Sequence, residues 1–269
     1  MPLSVRRILR TKLLRMFGGK IIKPMIRRWG FDLIQYYGEW PVDFGQEDID
    51  IIRAVKPYTM TSKEMVFGLI QAVKYVVRAN IPGSIVECGV WRGGSVIAIV
   101  STLMQLGKPE RDLYLFDTYE GMTLPTDVDI DFKGRPAAQE YPRVKRADAS
   151  GWYYGSIEDV QDNVFRTGYD PNRLRFIKGR IEDTIPSSAP DEIALLRLDT
   201  DWYESTRHEL VHLYPRLSMG GVLIIDDYGT WRGSRKATDE YFQGQHGHIL
   251  LNRIDDGRIG VKLSGSTET

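Results

Sequence analysis

The sequence predicts an α/β fold: a doubly wound, mainly parallel sheet that ends in a C-terminal antiparallel hairpin. Five short apolar stretches alternate with helical patterns, and four of the five end in an acidic residue. Alternating strands and helices are typical of parallel sheets. The hairpin is indicated by Asp255-Asp256-Gly257, which separates extended stretches at 248–253 and 258–263.

The pattern of apolar residues predicts a helix from Ser62 to Ala79. Thr61-Ser62-Lys63-Glu64 resembles a capping box, and apolar residues follow at helical spacing. Pro82-Gly83 ends this helix and leads into a buried strand that closes with Glu87.

A glycine-rich loop, residues 89–95, follows that strand and precedes an apolar helix over 95–106, which Ser95 is placed to cap. Such a loop before a helix favours a nucleotide or another polar ligand. Trp91 stands where the dinucleotide fingerprint has its second glycine, so a pyrophosphate would fit poorly. A dinucleotide oxidoreductase of the NAD type and a tight turn without any ligand both stay open as alternatives.

The remaining strands are predicted at 112–117, 174–179, 193–199 and 220–227, with a helix over 157–165. The segment 118–155 is long, polar and rich in glycine and proline, so we expect it to form a lid or a substrate loop. The acid that ends the second strand, Asp117, holds the position that grips a ribose diol in doubly wound folds.

Acidic residues also follow the fourth and fifth strands. Asp199 ends one, and Asp226 and Asp227 end the other. Because the carboxyl ends of parallel strands share one edge of the sheet, we expect these three carboxylates to lie together and to hold Mg²⁺. The alternative is that they are solvated acids and helix caps.

His208-Glu209-Leu210-Val211-His212 matches the zinc peptidase signature His-Glu-x-x-His. Pro215 ends this helix at once and no third ligand follows at a suitable spacing. We therefore interpret these residues as part of a surface helix with both imidazoles in solvent.

Charge divides the chain into a basic arm and an acidic body. Residues 1–30 hold nine Lys or Arg and no acid, which leaves 27 basic against 36 acidic residues in the rest. The arm predicts amphipathic helices that bind a membrane surface or a second subunit, whereas the acidic body argues against nucleic acid. A single cysteine, the absence of a secretory signal and the absence of a membrane-spanning stretch predict a cytoplasmic protein, which the basic arm would let associate with a membrane.

Several motifs, taken in order, resemble the macrocin O-methyltransferase family of S-adenosylmethionine enzymes. They are Tyr58-Thr59-Met60-Thr61-Ser62, Val86 to Ser95, Phe116 to Met122, Leu198 to Thr206, and Ile225 to Gly229. The resemblance covers roughly residues 56–263 and leaves 1–50 outside. Charge and apolar pattern predict a basic helical arm over 1–50. The resemblance implies an S-adenosylmethionine-binding, class I methyltransferase-like domain with a seven-stranded sheet over 51–269, and metal-dependent methylation of a hydroxyl, often on a sugar. A homo-oligomer is also expected.

The resemblance also implies roles for single residues. Mg²⁺ would be bound by Asp199, Asp226 and Asp227, and Asp117 would bind the cofactor's ribose. The other cofactor-binding positions would be Thr59, Met60, Thr61, Glu87, Gly89, Val90, Trp91, Arg92, Gly93, Ser95, Gly179, Arg180 and Ile181.

The general base implied by the resemblance is Asp201. If the chain is extended there, its side chain points the same way as that of Asp199, two residues earlier. The alternative is that Asp201 only caps the following helix. A non-catalytic membrane-surface protein with a methyltransferase-like core is a further alternative, against which the intact set of carboxylates argues.

Overall fold

The structure is a computed structural model that describes Arg28 and residues 40–144, 151–244 and 249–263. The predicted arm helices, apart from Arg28, lie outside these residues. The chain divides into two compact units, residues 1–44 and 45–269, and every element below belongs to the second. Helix Gln46–Val55 runs across residue 50, where the sequence predicts the domain boundary. That boundary stays a prediction.

Eight helices and seven strands form the part of unit 45–269 that is described. Single 3-10 turns at 56–58, 171–173, 214–216 and 227–229 join some of them. The helices are α1 Gln46–Val55, α2 Lys63–Arg78, α3 Gly94–Gln105, α4 Ala137–Val144, α5 Ile157–Phe165, α6 Ile181–Thr184, α7 Tyr203–Leu213 and α8 Arg232–Gln243. The strands are β1 Ser84–Cys88, β2 Leu113–Asp117, β3 Leu174–Lys178, β4 Ile193–Leu198, β5 Leu217–Ile225, β6 Asn252–Ile254 and β7 Gly257–Val261.

The strands form one seven-stranded sheet in the order β3-β2-β1-β4-β5-β7-β6. The first five are parallel, and β7 is antiparallel to both β5 and β6. This confirms the predicted mixed sheet and its C-terminal hairpin. The chain moves outward from β1 to β3 and then returns to β4 beside β1. In open α/β sheets, the crevice at such a reversal is where ligands bind.

The two faces of the sheet take different side chains because neighbouring residues of a strand point to opposite sides. Val86 and Cys88 of β1 pack with Leu196 of β4 and with Leu210 of α7 in one buried cluster. Helices α1, α2 and α3 contact one another, and so do α7 and α8. On β1, Glu87 alternates with these apolar residues, so its carboxylate lies on the other face.

Two predicted helix caps are wrong in detail. Helix α2 is capped by Ser62, whose Oγ accepts from the Met65 amide at 3.2 Å. The third helical position is therefore Met65, and Glu64 cannot complete a capping box. Helix α3 begins at Gly94 behind Gly93, which has φ +86°, so Ser95 lies inside the first turn and caps nothing. Within the described residues, no helix is long and apolar enough to cross a membrane.

Candidate active site

A cavity of about 270 Å³ opens at the carboxyl ends of the parallel strands. It brings together most of the residues that the sequence predicts for cofactor, metal and base. Its lining includes Thr59, Met60, Thr61, Glu87, Gly89, Val90, Trp91, Ser95, Asp117, Gly179, Ile181, Asp199, Asp201, Asp226 and Asp227.

Three predicted cofactor positions do not line this cavity. Arg92 forms an ion pair with Asp159 at 3.2 Å. Gly93 turns the backbone beneath the side chains of α5. Arg180 is exposed and pairs with Glu182 at 3.4 Å. Their cofactor roles stay predictions, and the contacts that the structure gives them are structural.

The glycine loop approaches its neighbours more closely than any side chain would allow. A Cβ on Gly89 would lie 1.8 Å from the carbonyl oxygen of Asp199, and one on Gly94 would lie 2.6 Å from that of Tyr58. Glycine at these positions lets the end of β1 lie against the segment after β4 and lets α3 start against the segment before α2.

Asp117 ties the end of β2 to this loop. One carboxylate oxygen accepts from the amides of Val90 at 2.6 Å and Trp91 at 3.0 Å, and the other accepts from the Tyr119 amide at 2.7 Å. Burial raises the pKa of Asp117, and these amide bonds oppose that rise. The Thr118 hydroxyl also donates to this carboxylate at 3.4 Å, and Asp117 lines the cavity.

Glu87 faces the cavity next to a buried arginine that the sequence analysis missed. Arg197 Nη1 lies 2.8 Å from Glu87 Oε1 and 2.8 Å from Asp199 Oδ2, while its Nη2 lies 2.6 Å from Asp226 Oδ1. Burial raises the pKa of Glu87 to about 8 in spite of this ion pair. Glu87 Oε2 is buried and has no hydrogen-bond partner among the described residues.

The predicted metal residues do come together. One carboxylate oxygen from each of Asp199, Asp226 and Asp227 lies within 4.8 Å of the other two. Burial, opposed by Arg197 and reinforced by Asp199, raises the pKa of Asp226 to about 7. Burial and the neighbouring Asp201 also raise the pKa of Asp227. Crowded carboxylates of this kind are relieved by a bound cation or by protons.

Asp201 is buried beside this cluster in a conformation that the sequence did not predict. Its φ is +65°, in the left-handed region, so the expectation of an extended chain is wrong. The backbone turns here so that the Asp201 amide donates to Asp227 Oδ2 at 3.0 Å. Burial and Asp199 raise the pKa of Asp201 to about 8.

Asp201 also does not cap α7. Its Oδ1 accepts instead from the indole N–H of Trp231 at 2.6 Å. The first amide of α7, that of Tyr203, donates to Asp129 Oδ1 at 2.8 Å. A buried carboxylate from the long segment therefore performs the capping that the alternative assigned to Asp201, which leaves the Asp201 carboxylate to the cavity.

The long segment does contribute to the cavity, through residues on either side of α4. Thr118, Gly121, Met122, Thr123 and Tyr153 line it. The Met122 amide donates to the Trp152 carbonyl at 3.0 Å, and Trp152 packs edge-on against Trp202 and Trp231. Trp152, Trp202 and Trp231 thus form an aromatic cluster, and Trp231 joins it to Asp201.

The His-Glu-x-x-His motif has its two half-buried imidazoles side by side, with ring centroids 4.3 Å apart, and its glutamate buried. Glu209 is fully buried on the face of α7 that meets the sheet, and its Oε1 accepts from the Thr200 hydroxyl at 2.9 Å. Burial raises the pKa of Glu209 well above its usual range. His208 is half-buried rather than free in solvent, with Nε2 lying 2.9 Å from the Ile185 carbonyl oxygen.

The residues that the sequence analysis missed are Arg197, Asp129, Tyr153 and Trp231. One signal could have found Arg197, because it is the single charged residue inside the apolar strand Ile193–Leu198. Tyr153 and Trp231 line the cavity and Asp129 caps α7, and all three are brought there by the fold of distant segments, for which no local pattern exists.

Comparison with known proteins agrees with this geometry. The family model of macrocin O-methyltransferase (TylF) matches residues 48–261. Mycinamicin III 3''-O-methyltransferase of Micromonospora griseorubida is 33% identical over 204 residues, which are 76% of this chain and 77% of that protein. A tetracenomycin 4'-O-methyltransferase of Streptomyces olivaceus, named for a dimethoxy-rhamnosyl substrate, is 34% identical over 71% of this chain and 69% of its own.

Among solved structures, the O-methyltransferase NovP superposes with a TM-score of 0.67 at 30% identity, covering 77% of this chain and 83% of its own. The calicheamicin methyltransferase CalS11 shares the fold, with a TM-score of 0.54 at 17% identity over 84% and 99% of the two chains. The family match spans most of the chain and includes every acid of the cavity. The chain therefore belongs to the macrocin O-methyltransferase family and is an O-methyltransferase.

Proposed function

We propose that this enzyme transfers a methyl group from S-adenosylmethionine to a sugar hydroxyl of a glycosylated small molecule, with Mg²⁺ held by Asp199, Asp226 and Asp227. The observation that carries the proposal is the grouping of these three carboxylates beside Asp201, inside the cavity that Glu87 and Asp117 also line.

The acceptor class is supported by the relatives. Two of them are named for positions on mycinamicin III and on a rhamnosyl tetracenomycin. Two aromatic side chains, Tyr153 and Trp231, line the cavity near Asp201 and offer apolar ring surface to the C–H face of a sugar.

The cofactor side fits S-adenosylmethionine. Glu87 has one buried carboxylate oxygen without a partner, and the α-ammonium group of a methionine moiety would supply the missing donor. Asp117, at the end of β2, lines the cavity where a ribose would lie. The cation side fits as well, since three carboxylates form a set of hard oxygen ligands.

The cofactor would supply the methyl group, and a cation held by Asp199, Asp226 and Asp227 would supply positive charge to the acceptor hydroxyl. Asp201 takes the hydroxyl proton on its carboxylate. Trp231 orients that carboxylate by donating its indole N–H to Oδ1.

We also propose that the cationic arm, residues 1–30, binds an anionic membrane surface or a second copy of the chain in the cytoplasm. Its support is the nine cationic residues around an apolar stripe in the sequence.

The test is a methyltransfer assay with candidate glycosides, read by mass spectrometry, with and without chelation. We expect EDTA to abolish turnover and added Mg²⁺ to restore it, because the three aspartates would otherwise repel one another. Full turnover in the chelator would contradict the metal site. S-adenosylhomocysteine should raise the melting temperature and NAD should not, and the opposite result would revive the oxidoreductase alternative.

A further inference from the structure

Arg197 lies at the centre of the acid network and outside the cavity lining. Its side chain is 2% exposed, and it is the one Lys or Arg that is buried among the described residues. It lies in β4, next to Glu87 of β1 in the parallel register, on the face opposite the apolar cluster of Val86 and Cys88. Strand pairing therefore fixes its position between the cofactor side and the cation side.

The two terminal nitrogens of Arg197 reach both sides at once. Nη1 is shared by Glu87 Oε1 and Asp199 Oδ2, and Nη2 donates to Asp226 Oδ1 and to the Thr61 hydroxyl at 3.2 Å. A guanidinium group holds these partners in a planar fork, which a single ammonium group cannot reproduce.

Each of these three carboxylates gives one oxygen to Arg197 and retains the other. Glu87 Oε2 has no partner among the described residues, and Glu87, Asp199 and Asp226 all line the cavity, whereas Arg197 does not. The arginine thus binds the three carboxylates on the side away from the cavity and leaves their second oxygens to ligands.

We propose that Arg197 is a positioning residue that orients the cofactor-binding and cation-binding carboxylates together, so that one side chain sets the affinity for both ligands. This inference rests on the proposed function. The inference goes beyond the proposed function because it gives a role to a residue that touches neither ligand.

The test compares wild type with R197K, which retains the charge and loses the fork. Two dissociation constants are measured separately: S-adenosylhomocysteine without metal, by calorimetry, and Mn²⁺ without cofactor, by electron paramagnetic resonance. We expect R197K to weaken Mn²⁺ binding about 10–100-fold, as when groups behind metal ligands are removed, and to weaken S-adenosylhomocysteine binding roughly tenfold. R175K on β3, the same change at an exposed position, is the matched control and should alter neither constant.

A role in folding alone would lower the melting temperature of R197K and leave both dissociation constants as in wild type, and that result would overturn the inference. Weakening of only one ligand would overturn it too. If wild type bound neither ligand, the proposed function would fail first and the inference with it.

A second measurement needs no variant and applies if R197K does not fold. The guanidinium N–H signals of a fully buried arginine exchange slowly with water and can be followed by nitrogen-15 NMR. We expect those signals in wild type to shift on addition of Mg²⁺ alone and of S-adenosylhomocysteine alone. Signals that respond to neither ligand would contradict the proposal.

Discussion

At Asp201, a left-handed backbone conformation places the side chain at the cavity. A left-handed aspartate is uncommon outside turns, and here the conformation is held by the Asp227 carboxylate on the amide and by Trp231 on the side chain. Because Asp129 takes over the cap of α7, the Asp201 carboxylate is left to face the cavity.

We expect D201N to lower kcat about 10²–10⁴-fold, as for loss of a general base, while S-adenosylhomocysteine binds as in wild type. Asparagine retains the acceptor for the Trp231 indole, so the melting temperature should change little. Kinetics with saturating acceptor and calorimetry check this. A variant with near-normal kcat would place the base elsewhere.

The buried carboxyl group of Glu209 should make the stability of the fold depend on pH. Its pKa is raised by burial, so the folded protein holds a proton that the unfolded chain releases above pH 4.5. Its contribution to the free energy of unfolding therefore falls as pH rises above 4.5, by at most about 1.4 kcal/mol per pH unit. E209Q should remove this slope and be more stable than wild type at pH 7.

Urea unfolding of E209Q between pH 5 and pH 8 measures that difference. E204Q, the same change at an exposed position of α7, is the control and should retain the wild-type pH dependence. If E209Q is less stable than wild type throughout, Glu209 stabilises the fold as an ionised partner of Thr200.

At the scale of elements, Asp129 fastens the segment between β2 and α5 to the start of α7. Buried Asp129 accepts from the Tyr203 amide and from the Thr126 amide and hydroxyl, at 2.7 to 2.8 Å. The Arg232 amide, at the start of α8, donates to the Ile130 carbonyl at 2.8 Å. These bonds hold residues 126–130, which follow the lining residues Met122 and Thr123 in the chain, against the helix that follows Asp201.

We expect D129A to destabilise the protein by about 1–3 kcal/mol, because it leaves buried amides without an acceptor. It should also raise KM for the acceptor roughly tenfold while the affinity for S-adenosylhomocysteine is unchanged. S62A, which removes the cap of α2 at a cost of about 1 kcal/mol, is the control for stability alone. Equal acceptor KM in both variants would show that the segment plays no part in binding.

The elements that the sequence predicts well are those with local signals. Apolar runs that end in an acid mark β1, β2, β4 and β5, and the Asp-Asp-Gly turn marks the hairpin. The start of α3 was misplaced because the left-handed Gly93 moves it forward. Asp129 was missed because Tyr203 lies 74 residues away and no local pattern encodes such a pair. Arg197 stands out locally as a charge inside an apolar strand, but its pairing with Glu87, 110 residues away, does not.

At the scale of the whole molecule, every residue that lines the cavity belongs to unit 45–269. A fragment of residues 45–269 should therefore fold and bind S-adenosylhomocysteine with the affinity of the full chain. At a ligand concentration of 100 Kd, both should gain about 2.7 kcal/mol of stability. Unequal shifts in thermal unfolding would show that residues 1–44 contribute to the site.

The position of β7 has a consequence for the chain while it is being synthesised. Strand β5 has nine mostly apolar residues and lies between β4 and β7 in the sheet. Strand β7 comes some thirty residues later in the chain. Until that last hairpin leaves the ribosome, β5 is a long open sheet edge that can pair with another nascent chain. A stop codon at position 250, which removes both β6 and β7, should therefore yield aggregated protein rather than a merely less active enzyme.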